Sequence, residues 1–283
     1  TVSGEYLATG ATKNVQVEIP GDTAVQVVLI PFGLSLVWEG NCLKAGGVTV
    51  TYCSGIVDMP GLEESSVIKE ETQVSLCVSL PENDGVAFAD VTYGDTTLFE
   101  GDALPQSVTL SPETLGTGLG VLKLTVDTLR GKTLSCYKGI GLVAADGGNT
   151  LLALDAQDLY ALAEVSDNAS CSLTDAGLAL DLVWGGVTIE CPALAVNASV
   201  HPYVLVNIVS ATGRWGLKCL ADGEESYIRS DSCAEGEFLC DLGPLPAKLS
   251  ADEKETSIIL RFYADGIKDD VVIQSITVIK GGE

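Results

Sequence analysis

The sequence predicts an all-β chain built from two copies of one β-sandwich-type, jelly-roll-like domain, fused head to tail, with few short helical turns. Three observations predict this. Apolar residues alternate with a period of two over strand-length windows. Gly, Pro, Asn and Asp clusters separate those windows. The second half of the chain repeats the first.

The repeat sets the domain organisation. GLSLVWEG at 33–40 recurs as ALDLVWGG at 179–186, which gives Trp38 and Trp184 the same place in the two copies. GVTV at 47–50 recurs as GVTI at 186–189, and each is followed by a cysteine, Cys53 and Cys191. Leu104-Pro105 with Leu110-Ser111 recurs as Leu245-Pro246 with Leu249-Ser250. The expected copies are residues 1–146 and 147–283, joined at a Gly-Gly turn after Asp146.

Within the copies, VQVEI (15–19) and AVQVVLI (24–30) flank the turn Pro20-Gly-Asp22 and read as paired strands. VTVTYC (48–53), QVSLCVSL (73–80) and VLKLTV (121–126) follow, with Pro81–Gly85 as a further turn. Closing strands carry Ile140 and Leu142 in the first copy, Ile276 and Val278 in the second. Ser111-Pro-Glu113 and Ser250-Ala-Asp-Glu253 have the pattern of a capped first helical turn. Asp155–Glu164 has helical propensity, but its repeat partner is strand–turn–strand, so strands are expected there too. A copy of about 140 residues suits a jelly roll better than an immunoglobulin-like sandwich of ~100.

Composition narrows the function. Among 283 residues, 15 Lys+Arg against 39 Asp+Glu leave a formal net charge of −24, which repels nucleic-acid backbones and anionic membranes. Disorder is the usual companion of such charge, yet 46% of the residues are hydrophobic. The mean hydropathy of +0.32 implies apolar surface beyond two small cores and suggests burial between chains. The longest charge-free stretch, Cys191–Gly213, is broken by Pro192, Asn197, His201 and Pro202, so no membrane insertion is expected. Thr1–Glu5 lacks the basic start and apolar run of a secretory signal.

The inventory for catalysis is poor. Nine cysteines form no Cys-x-x-Cys, and with a single histidine, His201, a zinc site has no ligand set; reduced, strand-buried thiols are expected. His201 has no nucleophile elbow around it, and Gly116-Thr-Gly-Leu-Gly120 leads into a strand rather than a phosphate-binding helix. Asn168-Ala-Ser170 and Asn197-Ala-Ser199 match a short glycosylation motif that arises easily by chance. No catalytic residue is expected, and no cofactor. Acids clustered in loops, above all Asp265, Asp269 and Asp270, are a weak calcium candidate set against the plainer reading of solvated loop charge.

The repeated Trp38 and Trp184, flanked by Leu and Val, are expected in a core or packing role. Trp215 stands alone in Gly213-Arg-Trp-Gly216, with no equivalent in the first copy. It is the candidate for contact with a ligand or a neighbouring subunit, together with Arg214 and Tyr203, set against the plainer reading of ordinary strand packing. The composition favours a non-catalytic structural protein: a virion component (capsid, decoration, neck or fibre) or another surface-assembly subunit, in a virion or extracellular assembly. Its partners would be copies of itself or other subunits, and not nucleic acid. The alternative is a tandem glycan-binding module of adhesin type, and behind it an acid-only glycosidase.

Overall fold

The computed structural model describes residues 36–39, 42–45, 48–51, 55–80, 84–144, 150–196, 202–221, 223–242 and 256–281. The expected strands at 15–30, the joint at 146–149, His201 and the helical turn at 250–253 lie outside them.

The chain is all-β, with several sheets of sandwich type. At the N-terminal end β1 (Leu36–Glu39), β2 (Cys42–Ala45) and β3 (Val48–Thr51) form a meander. Next come β4 (Ile56–Asp58), β5 (Val67–Ile68), β6 (Thr72–Ser75), β7 (Cys77–Ser79), β8 (Val86–Tyr93), β9 (Thr96–Gly101) and β10 (Ser107–Leu110). A single helical turn, α1 (Pro112–Leu115), leads into β11 (Gly118–Thr128) and β12 (Thr133–Leu142). A five-stranded sheet, β5-β12-β11-β8-β9, faces the short pairs β4-β7 and β6-β10. The period-two pattern decides which side goes in: Leu122, Leu124 and Val126 of β11 and Ala89 and Val91 of β8 are fully buried. They pack with Val57, Met59, Val74 and Leu110 of the facing elements in one core.

The C-terminal part comprises β13 (Thr150–Asp155), α2 (Ala156–Leu162), β14 (Ala163–Val165), β15 (Ser170–Thr174), β16 (Gly177–Glu190), β17 (Leu194–Val196), β18 (Tyr203–Ala211), β19 (Arg214–Ala221), β20 (Glu224–Ser232), β21 (Gly236–Asp241) and β22 (Thr256–Ile279). The strands expected over Asp155–Glu164 are in fact mostly helix. Asp155 caps α2 through its carboxylate, which accepts from the backbone N–H of Gln157 (2.8 Å) and Asp158 (3.0 Å). Asp158 returns the bond to the Asp155 N–H, completing a capping box. Local capping outweighs what the repeat suggested.

β22 organises this part. Its first half pairs with β19 on one side (Arg214↔Asp265 to Ala221↔Ile258) and with the second half of β16 on the other (Gly186↔Asp265 to Glu190↔Arg261). Its second half pairs with β18, β13 and the first half of β16. Both long strands bend at one level, with Trp184 (φ 54°) and Lys268 (φ 77°) in the left-handed region. The bend resets the alternation. Leu178, Leu180 and Leu182 point inward before it, and Val187 and Ile189 after it; Phe262 and Ala264 precede it on β22, with Val271 and Ile273 beyond. Such bulges let a strand change sheet without turning its apolar face to water. The inward side chains of both halves therefore share one core, in which Trp215 of β19 meets Phe238 of β21 at 5.4 Å between ring centres.

The two cores draw on separate stretches, 57–142 and 154–278. A third, small cluster joins them, with Val143 packed against Leu239 and Ile279 beside Val67, Tyr203 and Leu205. An ion pair between Lys69 and Glu237 ties the same junction.

Candidate functional site: the open face of the β19–β20–β22 sheet

Trp184 and Trp215 stand in opposite surroundings. Trp215, the candidate for ligand contact, is completely buried; it stacks on Phe262 at 5.9 Å, and its Nε1 donates to the Ala234 carbonyl at 3.0 Å. A ring enclosed in this way cannot reach a sugar or a partner. In Arg214-Trp-Gly-Leu-Lys218 the alternation sends Trp215 and Leu217 inward, and Arg214, Gly216 and Lys218 outward. Trp184, expected in a packing role, is instead 70% exposed at the bend, where the left-handed backbone turns its side chain out of the core. Exposed Val183 and Ile267 stand beside it as cross-strand partners. Trp38 lies in β1. Tyr203 is half-buried at the junction of the two parts, its hydroxyl hydrogen-bonded to the Leu119 backbone. Arg214 is on the sheet surface, 3.2 Å from Asp265.

The calcium candidates do not converge. Asp265 pairs with Arg214, an Asp269 oxygen accepts from the Ile267 N–H at 3.4 Å, and the Asp270 N–H donates to Thr212 Oγ1 at 2.8 Å. Among the described residues no three His, Cys, Asp or Glu side chains are grouped to hold a metal ion. Nor do the buried thiols supply a nucleophile. Burial pushes Cys191 up to about 12 and Cys219 up to about 11, so both stay protonated at neutral pH.

What the outward positions of β14, β16, β19 and β22 do bring together is a polar groove of about 470 Å³, with β20 paired alongside β19. Gly216 lies directly against Tyr263, which lines the groove. A Cβ there would lie 2.3 Å from the Tyr263 hydroxyl oxygen and 2.4 Å from the ring carbon bearing it, so the missing side chain is what lets Tyr263 lie across β19. Gly186 on the other flank of Tyr263 also lacks a side chain, and Thr188, Glu190 and Glu164 line that wall.

Tyr227 stands edge-on to Tyr263, with ring centres 6.3 Å apart and planes at 82°, and keeps 62% of its surface exposed. The Lys218 ammonium sits 4.8 Å from the Tyr227 ring centre and 5.2 Å from that of Tyr263. Four charges lock the arrangement. Lys218 donates to Glu225 at 2.9 Å, and Arg261 donates to Glu225 and to Glu190, each at 2.8 Å. The Lys218 hydrogen bond holds the Glu225 carboxyl below its usual value, and Glu225 raises Lys218 in return. The Glu190 hydrogen bond likewise raises Arg261. A network of this kind is worth little as surface stability, but it fixes side chains that would otherwise lose freedom on binding.

No family model matches the chain, and no curated protein matches it. Among solved structures, similarity is found to a carbohydrate-binding module of the β-sandwich superfamily described for promiscuous specificity. The two are 15% identical, over 81% of this chain and 98% of that one, with a TM-score of 0.30. A xylan-binding module is 8% identical over 47% and 97%, TM-score 0.33. A Bacteroides ovatus protein of a mixed-linkage glucan utilisation locus, solved with a heptasaccharide, is 9% identical over 77% and 95%, TM-score 0.25. At such scores the likeness carries no argument about a site or a ligand.

Proposed function

We propose that the protein is a non-catalytic binding protein that holds a glycan in the groove beside Tyr227 and Tyr263. The observation behind this reading is the groove itself. An exposed aromatic ring is pinned by Lys218 next to a pre-ordered row of donors and acceptors on Arg261, Glu190, Thr188 and Glu164. Sugars offer an apolar ring face flanked by hydroxyls that both donate and accept, which matches a tyrosine beside carboxylates and a guanidinium. The cations of the groove are already engaged by carboxylates, and the chain carries −24 overall, so the ligand is a neutral sugar rather than a uronate or sulfated one. Retention on immobilised neutral oligosaccharides, compared between the wild type and Tyr227→Ala, tests it. Retention that Tyr227→Ala leaves unchanged would remove this groove from the account.

A second reading, assembly into a virion or other ordered oligomer, draws on the exposed apolar corner of Val183, Trp184 and Ile267. Sedimentation across a salt series tests it. A salt-promoted oligomer that Trp184→Ser abolishes supports this reading, whereas a monomer at every concentration contradicts it.

A further inference from the structure

The junction between the two parts of the chain holds a second, separate groove of about 350 Å³. Its N-terminal wall is the outer side of β11 and β12, with Leu119 and Val121 45% and 48% exposed beside Gly139. The opposite wall is Arg229, Phe238 and Leu239, from β20 and β21. Its size is at the small end of the ~300–1,000 Å³ typical of small-molecule sites, and clefts between domains are where such sites concentrate.

Arg229 makes this groove chemically specific. Its guanidinium lies 4.2 Å from the Phe238 ring centre and 5.0 Å from that of Trp215, which fixes its plane. Its Nη2 donates to Ser232 Oγ at 3.2 Å, while its Nε is buried with no acceptor. Among the described arginines, Arg214 and Arg261 are paired with carboxylates, whereas Arg229 and the surface-exposed Arg130 have none within ion-pair distance. In a chain where acids outnumber bases 39 to 15, a half-buried guanidinium left without a counter-ion stands out. Neighbouring Cys240 does not supply one, because burial raises its thiol and keeps it neutral.

We infer that the junction groove binds a small monocarboxylate, its carboxyl on the Arg229 guanidinium and its apolar body between Leu119, Val121 and Leu239. Glu64 shapes the selection further. Its carboxylate lines the same groove and accepts from the Gly139 N–H at 3.0 Å, so a ligand with a second carboxylate meets repulsion. Both parts of the chain supply walls, so the bound ligand also holds them together.

The test is calorimetric titration of the full chain with 3-phenylpropanoate, its neutral amide and the dicarboxylate phenylsuccinate. The expected result is saturable binding of 3-phenylpropanoate, with the amide and the dicarboxylate each weaker by about tenfold or more. Arg229→Gln and Leu119→Asp should each lose about tenfold, whereas Tyr227→Ala, beside the other groove, should change nothing. Leu119 is a surface position, so Leu119→Asp stays informative if Arg229→Gln disturbs the Trp215 core. Equal affinity for acid and amide, full affinity in Leu119→Asp, or no saturable binding by the wild type would overturn the assignment.

Discussion

Both large sheets turn one face to solvent, and on each a lysine reaches for a tyrosine, but the two faces are built differently. On the N-terminal sheet, Lys123 of β11 lies 5.9 Å from the ring centre of Tyr137 on β12, and among the described residues Lys123 joins no ion pair. On the C-terminal sheet, Lys218 is held by two tyrosines and by Glu225, and Arg261 extends the network to Glu190. The glycines differ in the same sense. A Cβ on Gly139 meets Glu64 Oε1 at 2.7 Å, the far end of a flexible side chain, whereas one on Gly216 meets the hydroxyl and ring of Tyr263. A lone cation–π contact decorates a surface. The same contact tied into an ion-pair network, with a glycine against which Tyr263 lies, leaves a groove of fixed shape.

The largest expected effect separates the two glycines. Gly216→Val drives Tyr263 off β19 and should abolish glycan retention, with a stability cost of about 1–2 kcal/mol from overpacking. Gly139→Val only swings Glu64 aside and should leave retention intact. Equal loss in both would erase the distinction between the faces. Next in size, Tyr227→Ala should weaken glycan affinity about tenfold or more while changing stability by less than about 0.5 kcal/mol, because the ring is largely exposed. Tyr137→Ala should leave affinity unchanged. Calorimetry and thermal melts on the four variants check both pairs.

The sequence carried part of this and missed part for definite reasons. The period-two pattern marked the strands, and in β11 it also separates buried Leu122, Leu124 and Val126 from outward Val121 and Lys123. The same alternation, applied to Arg214–Lys218, places Trp215 inside, so ordinary strand packing holds for it and the ligand-contact candidacy, drawn from its turn-flanked position, does not. Trp184 went astray the other way, since its strand alternates correctly up to Leu182 and the bend begins one residue later. The groove was beyond reach. Tyr227, Tyr263 and Gly216 lie on three strands, and only the register of β19 against β20 and β22 puts them together. Helix α2 shows in the sequence as helical propensity, which the repeat outweighed, while the capping box of Asp155 and Asp158 is the local signal that decides it.

A smaller effect follows from pH. The Lys218 hydrogen bond depresses the Glu225 carboxyl below its ordinary value of 4.5, so the contribution is present above pH 4.5 and is lost as pH falls through the lower, folded value. Glycan affinity should hold from neutral pH down to about 4.5 and weaken below it. In Lys218→Met the Glu225 titration should move up toward 4.5, as followed by carboxyl carbon shifts in an NMR titration. An unmoved titration would mean that the pair does not order this face. The smallest expected effect is that of salt, because cations already paired within the protein have little left to screen against a neutral ligand.

The most direct measurement is an NMR titration of the labelled full chain with a neutral oligosaccharide that it retains, following backbone amides on both sheets. The account predicts that shifts concentrate at Gly186, Thr188, Gly216, Lys218, Tyr227 and Tyr263, and that Lys123 and Tyr137 stay in place. Shifts centred on the Lys123–Tyr137 face or on the Trp184 corner, with the Tyr227 groove unmoved, would contradict it.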